Sequence, residues 1–179
     1  MLAVMCVLSS CSGADMSSAQ IERESSDKII NFITTWYKTG PIKVITTGNF
    51  FDLHEPSATF GVWVADFTPE TMEGGRALAV KMVNDLWAFI QKTPECLRLY
   101  EHNIKGVPRF YWGKMGLKDL CVRIAFWDKD TNRPMAPKLA EITFFNEKFH
   151  YYQADPKTLA LKLIGEETLE QAVAKVKSG

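Results

Sequence analysis

The chain has 179 residues, 46% of them apolar and 23% charged, which suits one ordinary globular domain and excludes a disordered chain. Lys and Arg together number 21, and so do Asp and Glu, so the formal net charge is zero. That balance argues against a protein that coats nucleic acid, because phosphate binding calls for a basic excess.

The chain opens with an apolar run, Met1 to Leu8 (MLAVMCVL), too short to cross a bilayer, which needs about 20 residues. Leu8-Ser9-Ser10-Cys11 follows. A Leu, two small residues and a Cys after an apolar run resemble the lipobox of bacterial lipoproteins. The resemblance covers four residues and is carried by their position. It implies cleavage before Cys11, a diacylglycerol on the Cys11 thiol, and a place in the bacterial cell envelope, facing the periplasm or the exterior. Each buried acyl CH₂ stabilises such an attachment by about 0.8 kcal/mol. One feature departs from the pattern: secretory signals begin with Lys or Arg, and the first basic residue here is Arg23. Without the lipobox, the same residues read as the apolar end of a cytoplasmic protein. The organisation expected is a signal-like segment at 1–10, a polar, Ser-rich tether at 11–27 and a single domain over 28–179.

A first helix is predicted from a cap at Ser26 or Asp27, with Ile29, Ile30, Phe32, Ile33, Trp36 and Tyr37 on one broad apolar face. Gly40-Pro41 ends it. Lys43 to Thr47 and Phe60 to Phe67 read as strands. Thr68-Pro69-Glu70 then offers a hydroxyl cap, a Pro and an acidic turn for a second helix. Gly74-Gly75 moves its firm start toward Arg76; Ala79, Met82, Val83, Leu86, Phe89 and Ile90 have core spacing, and Thr93-Pro94 stops it.

Beyond residue 117 strands dominate. Leu120, Val122, Ile124 and Phe126 alternate with Cys121, Arg123 and Ala125. Lys138 to Phe145 and Lys148 to Gln153 form a hairpin through Asn146-Glu147. Leu159, Leu161 and Leu163 suit strand or helix, and Gly165-Glu166-Glu167 is expected to introduce a last helix with Leu169, Ala172, Val173 and Val176 inward. The expected class is α+β, two layers, with helices packed on one face of a mainly antiparallel sheet.

Motifs that carry chemistry are scarce. Cys96 and Cys121 are the two cysteines left for one disulfide in an oxidising compartment, although a mid-strand Cys121 also suits a small core residue. Asp128-Lys129-Asp130-Thr131-Asn132 begins like a calcium loop, but Arg133 stands where the loop needs Gly and Leu139 where it needs its closing acid. His54, His102 and His150 form no ligand pattern, so neither a metal nor a cofactor is indicated. Past the tether the serines are Ser57 and Ser178, neither in GxSxG, and no phosphate-binding glycine loop occurs. Asp52, Glu55 and Asp66 are scattered acids of a kind every soluble domain carries.

The aromatics remain. Phe110-Tyr111-Trp112, Phe126-Trp127, Phe144-Phe145 and Tyr151-Tyr152 put rings on adjacent positions, and on a strand adjacent side chains face opposite ways. One ring of each pair then lies outside the main core, either under a second packed layer or on a binding surface; Phe110, Tyr111, Trp112, Tyr151 and Tyr152 are its candidates. Arg98, Lys105, Arg109 and Lys114 interleave with Tyr100 and the 110–112 cluster, a mixture shared by binding surfaces and polar loops. The reading is an envelope lipoprotein, held to the membrane at Cys11, that binds a protein or small ligand. An enzyme whose site assembles only in three dimensions, and a soluble interaction or effector protein without an anchor, are the alternatives.

Overall fold

Alternation along one strand decides which side of the sheet is dry. In strand β3 (Leu120–Asp128), Leu120, Val122, Ile124 and Phe126 are each no more than 1% exposed and belong to the hydrophobic core, while Arg123 between them is exposed. The protein is seen in a computed structural model that describes residues 18–39, 44–51, 58–64, 68–94, 96, 116–128, 130–131, 133–134, 136 and 138–178.

The other described strands are β1 (Val44–Phe51), β2 (Ala58–Val64), β4 (Arg133–Pro134), β5 (Leu139–Phe145), β6 (Lys148–Ala154) and β7 (Leu161–Thr168). Six of the seven lie side by side in the order β1-β2-β3-β5-β6-β7, and β4 pairs with β3. Every pairing is antiparallel except β2 with β3, which is parallel. A parallel pair needs a long crossover, and helix α2 (Met72–Lys92) lies in it. With α1 (Ser18–Thr39) and α3 (Leu169–Ser178), the class is α+β with a mainly antiparallel sheet.

Helix α2 is the centre of the core. Leu78, Ala79, Met82, Val83, Leu86 and Ile90 are buried in one cluster with Val62, Val122, Ile124, Ile142, Phe144 and Phe149 of the sheet. Each of these side chains larger than alanine contributes roughly 1.5–3 kcal/mol when fully buried. Ile29 and Ile33 bring α1 into that cluster, Ala172 brings in α3, and Phe32 stacks on Phe89 at 4.3 Å between ring centroids. The cap of α2 is Thr71, whose hydroxyl accepts from the Gly74 N–H at 3.3 Å, three residues beyond the expected Thr68. At the other end Thr93 closes the helix and donates its hydroxyl to the Phe89 carbonyl at 2.8 Å, as Thr93-Pro94 predicts.

Helix α2 starts at Met72, ahead of the expected Arg76, β1 runs on to Phe51 and β2 spans Ala58–Val64, and two larger differences lie toward the ends of the described residues. Helix α1 starts at Ser18, so the stretch 18–27, expected as tether, is helical. Ala19, Gln20, Glu22, Arg23 and Glu24 are good helix formers by type, and once Ile29 and Ile33 pin the following turns that propensity carries the helix back to Ser18. At the far end β7 continues through Gly165, Glu166 and Glu167, and the helix waits until Leu169. Its cap is Thr168: the Thr168 hydroxyl accepts from the Gln171 N–H, and Gln171 Oε1 accepts from the Thr168 N–H at 2.9 Å. That reciprocal pair is a capping box, spelt Thr168-Leu169-Glu170-Gln171.

Candidate functional site: the outward face of the sheet

The side chains of β3, β5, β6 and β7 that point away from the core form a second face, and strand register sets its pattern. Arg123 pairs with Thr143, Thr143 with His150, and His150 with Glu166, giving a row of four polar residues straight across four strands. In the next row Ala125 pairs with Glu141, Glu141 with Tyr152, and Tyr152 with Leu163. Successive side chains on a strand alternate, so these rows follow from the same periodicity that buries Val122, Ile124 and Phe144 behind them.

The rows are linked by charge. Arg123 Nη2 lies 2.6 Å from Glu141 Oε2, at an angle outside hydrogen-bond geometry, and Thr143 donates its hydroxyl to Glu141 Oε1 at 3.2 Å. Glu166 lies 3.8 Å from His150 Nε2 and 3.7 Å from Lys148 Nζ. Burial changes across the face. Ala125 and Glu141 are buried although they point away from the core, while Arg123, Lys148 and Glu166 are exposed and His150 and Tyr152 half-buried. The face is therefore covered near Ala125 and open toward β6 and β7. It presents two cations, two carboxylates, an imidazole and a phenol on rigid strands.

The aromatic pairs divide as alternation requires. Phe126, Phe144 and Tyr151 enter the core, and Trp127, Phe145 and Tyr152 stay outside it, with Phe145 exposed. Tyr151, named above for a binding surface, is therefore corrected to a core residue; only Tyr152 of that pair reaches the outward face. Phe110, Tyr111 and Trp112 lie outside the described residues, as does the lipidation candidate Cys11.

Cys96 and Cys121 are thiols and not a disulfide. The sheet explains why: Cys96 packs with Leu120 and Val122 in the core, whereas Cys121 alternates with those residues and points to the opposite side. Cys121 also stands two strands from His150, about 10 Å at the usual spacing, too far for a nucleophile and its base. His54, His102, Asp52, Glu55 and Asp66 lie outside the described residues. The loop after β3 closes on itself: Asp128 Oδ1 accepts from the backbone N–H groups of Asp130 and Thr131 and from the Thr131 hydroxyl, at 2.8–3.0 Å. No group of three His, Cys, Asp or Glu side chains that could hold a metal occurs among the described residues.

A second polar cluster lies on the core side. Glu167 Oε1 accepts from Arg76 Nε and from the Tyr151 hydroxyl, each at 2.6 Å, and Glu167 Oε2 lies 2.7 Å from Lys175 Nζ. Burial pushes the Glu167 carboxyl up, but the hydrogen bonds from Arg76, Lys175 and Tyr151 outweigh it and hold the group below the usual carboxylate range. Burial and the adjacent carboxylate hold the Tyr151 phenol far above its ordinary range. Both carboxylate oxygens are occupied, so the cluster ties α2 and α3 to β6 and β7. Sequence reading passed over Arg76, Glu141, Thr143, Glu166, Glu167 and Lys175. For Glu141 and Thr143 the one early signal was parity on a strand, of the kind that placed Arg123 opposite the apolar residues; Arg76 and Lys175 are on helices and carried none.

No protein-family model matches this chain, and neither a curated protein nor a solved structure matches it.

Proposed function

We propose that this protein is a membrane-anchored binding module of a bacterial cell envelope. Cys11 carries the lipid, and the outward face of the sheet holds a protein partner of mixed charge. The observation that carries the binding role is the register-aligned row Arg123–Thr143–His150–Glu166. Its groups are spaced about 4.8 Å apart on four paired strands, so they cost little ordering entropy when a partner arrives. Arg123 with Glu141 toward one end and Glu166 with Lys148 toward the other give the face both signs, an arrangement that selects partner orientation more than raw affinity. Tyr152, half-buried in the adjoining row, supplies aromatic contact area.

Two measurements test the two halves. Labelling with palmitate should mark the wild-type chain and not Cys11→Ala; equal labelling of both discards the anchor. A photo-crosslinking residue at Thr143 should give a discrete protein adduct that Arg123→Glu abolishes. The same residue at exposed Lys81, on α2, should not. Identical adducts from both positions would discard the binding face.

A further inference from the structure

Large exposed aliphatic side chains gather at the start of β7. Leu161 is 38% exposed, Leu163 47% and Ile164 42%, within four consecutive residues. Strand β7 ends the strand order, so among the described residues its outer edge pairs with no strand. Leu161 and Leu163 pair with Ala154 and Tyr152 and extend from the outward face. Ile164 is an extra residue between the Tyr151–Gly165 and Tyr152–Leu163 pairs, a bulge that bends the edge. A bulged edge with a lysine on it resists the addition of another strand, so an extended protein segment is a poor occupant.

Charge points elsewhere. From Lys157 to Ile164 the charged residues are Lys157 and Lys162, both exposed, and the exposed acids Asp155 and Glu166 stand just beyond the two ends. The tight turn before β7 holds Lys157 out: Asp155 Oδ1 accepts from the N–H groups of Lys157 and Thr158 and from the Thr158 hydroxyl, at 2.7–3.0 Å. Aliphatic side chains flanked by lysines, at the margin of a fold, match the boundary of a lipid bilayer. There Leu and Ile enter the acyl region while lysine stems lie along it and their ammonium groups meet phosphates.

We infer that the edge from Lys157 to Ile164 docks on an anionic lipid surface and sets the sheet edge-on to the bilayer. The inference rests on the proposed membrane location. It gives β7 an orienting role distinct from the anchor at Cys11, and leaves the Arg123–Glu166 row facing along the membrane toward a partner.

The test uses the full chain carrying Cys11→Ser, so that lipidation contributes nothing. It is sedimented with vesicles of phosphatidylcholine alone or mixed with phosphatidylglycerol. Partition onto the mixed vesicles should exceed that onto neutral ones by roughly five- to thirtyfold, the upper figure being the effect of two lysines near the surface with Asp155 and Glu166 held away from it, and should fall as salt rises. Lys157→Glu with Lys162→Glu should remove that preference. Leu163→Gln with Ile164→Gln should weaken binding to both vesicle types; circular dichroism verifies that each variant stays folded, as expected for exposed positions. Equal partition onto the two vesicle types, or variants that bind like their parent, overturns the inference. So does a protein adduct from a crosslinker at Leu163 in a chain that ignores vesicles. Because the palmitate experiment reads Cys11 alone, it can fail while vesicle binding stands, and the reverse.

Discussion

Arg76 and Glu167, 91 residues apart in the chain, meet at 2.6 Å with side chains only 8% and 2% exposed. The first is on α2 and the second on β7, next to the turn into α3. Removing the carboxylate alone leaves a buried guanidinium without its charge partner. Glu167→Ala should therefore lower unfolding free energy by about 3–5 kcal/mol. Replacing both, as Arg76→Met with Glu167→Leu, should cost much less, because no buried charge is stranded. Urea denaturation of the two variants checks the ordering.

The same cluster sets the pH response. Glu167 titrates below its unfolded value of about 4.3, so its stabilisation is complete above that pH and is lost as pH falls through the folded value. Tyr151 is held protonated in the fold. Above about pH 10 the unfolded chain releases this proton while the native state keeps it, so stability declines again. Melting temperature should be flat between these limits and fall on either side. Tyr151→Phe should flatten the alkaline limb and, by losing the bond to Glu167, cost about 1 kcal/mol at neutral pH.

Gly75 allows α2 to approach the sheet. A Cβ there would lie 2.7 Å from both Ile142 Cδ1 and Leu139 Cδ2, which are walled into the core. Alanine normally favours a helix over glycine by about 1 kcal/mol, yet Gly75→Ala should destabilise by about 1–3 kcal/mol because overpacking wins. Thermal melts comparing Gly75→Ala with the parent decide the sign.

The β5–β6 turn has room for improvement. Asn146 and Glu147 both have positive φ, 48° and 60°, as the central residues of a type I′ hairpin turn do. Asn tolerates this conformation and Glu does not. Glu147→Gly should stabilise by about 1 kcal/mol, read as a higher melting temperature with an unchanged fold.

Short-range signals were legible. Asn146-Glu147 between two apolar runs placed the hairpin that Phe145 and Lys148 close. The alternation from Leu120 to Phe126 sorted β3 into its two faces, and core spacing from Ala79 to Ile90 marked α2. Gly74-Gly75 misled because a weak helix former and a close-packing residue look alike until Leu139 and Ile142 are in place. Leu161 to Thr168 misled because an edge strand with exposed leucines lacks the burial pattern that separates strand from helix.

By itself, then, the sequence determined which segments are helix or strand wherever neighbours within a few residues settle the matter, and which side of each strand is apolar. Only the tertiary structure decided that β2 runs parallel to β3, that Arg76 finds Glu167, and that Arg123, Thr143, His150 and Glu166 share one row. Strand order and register join residues tens of positions apart. Periodicity reports only the direction a side chain takes from its own backbone, never the neighbour it meets there.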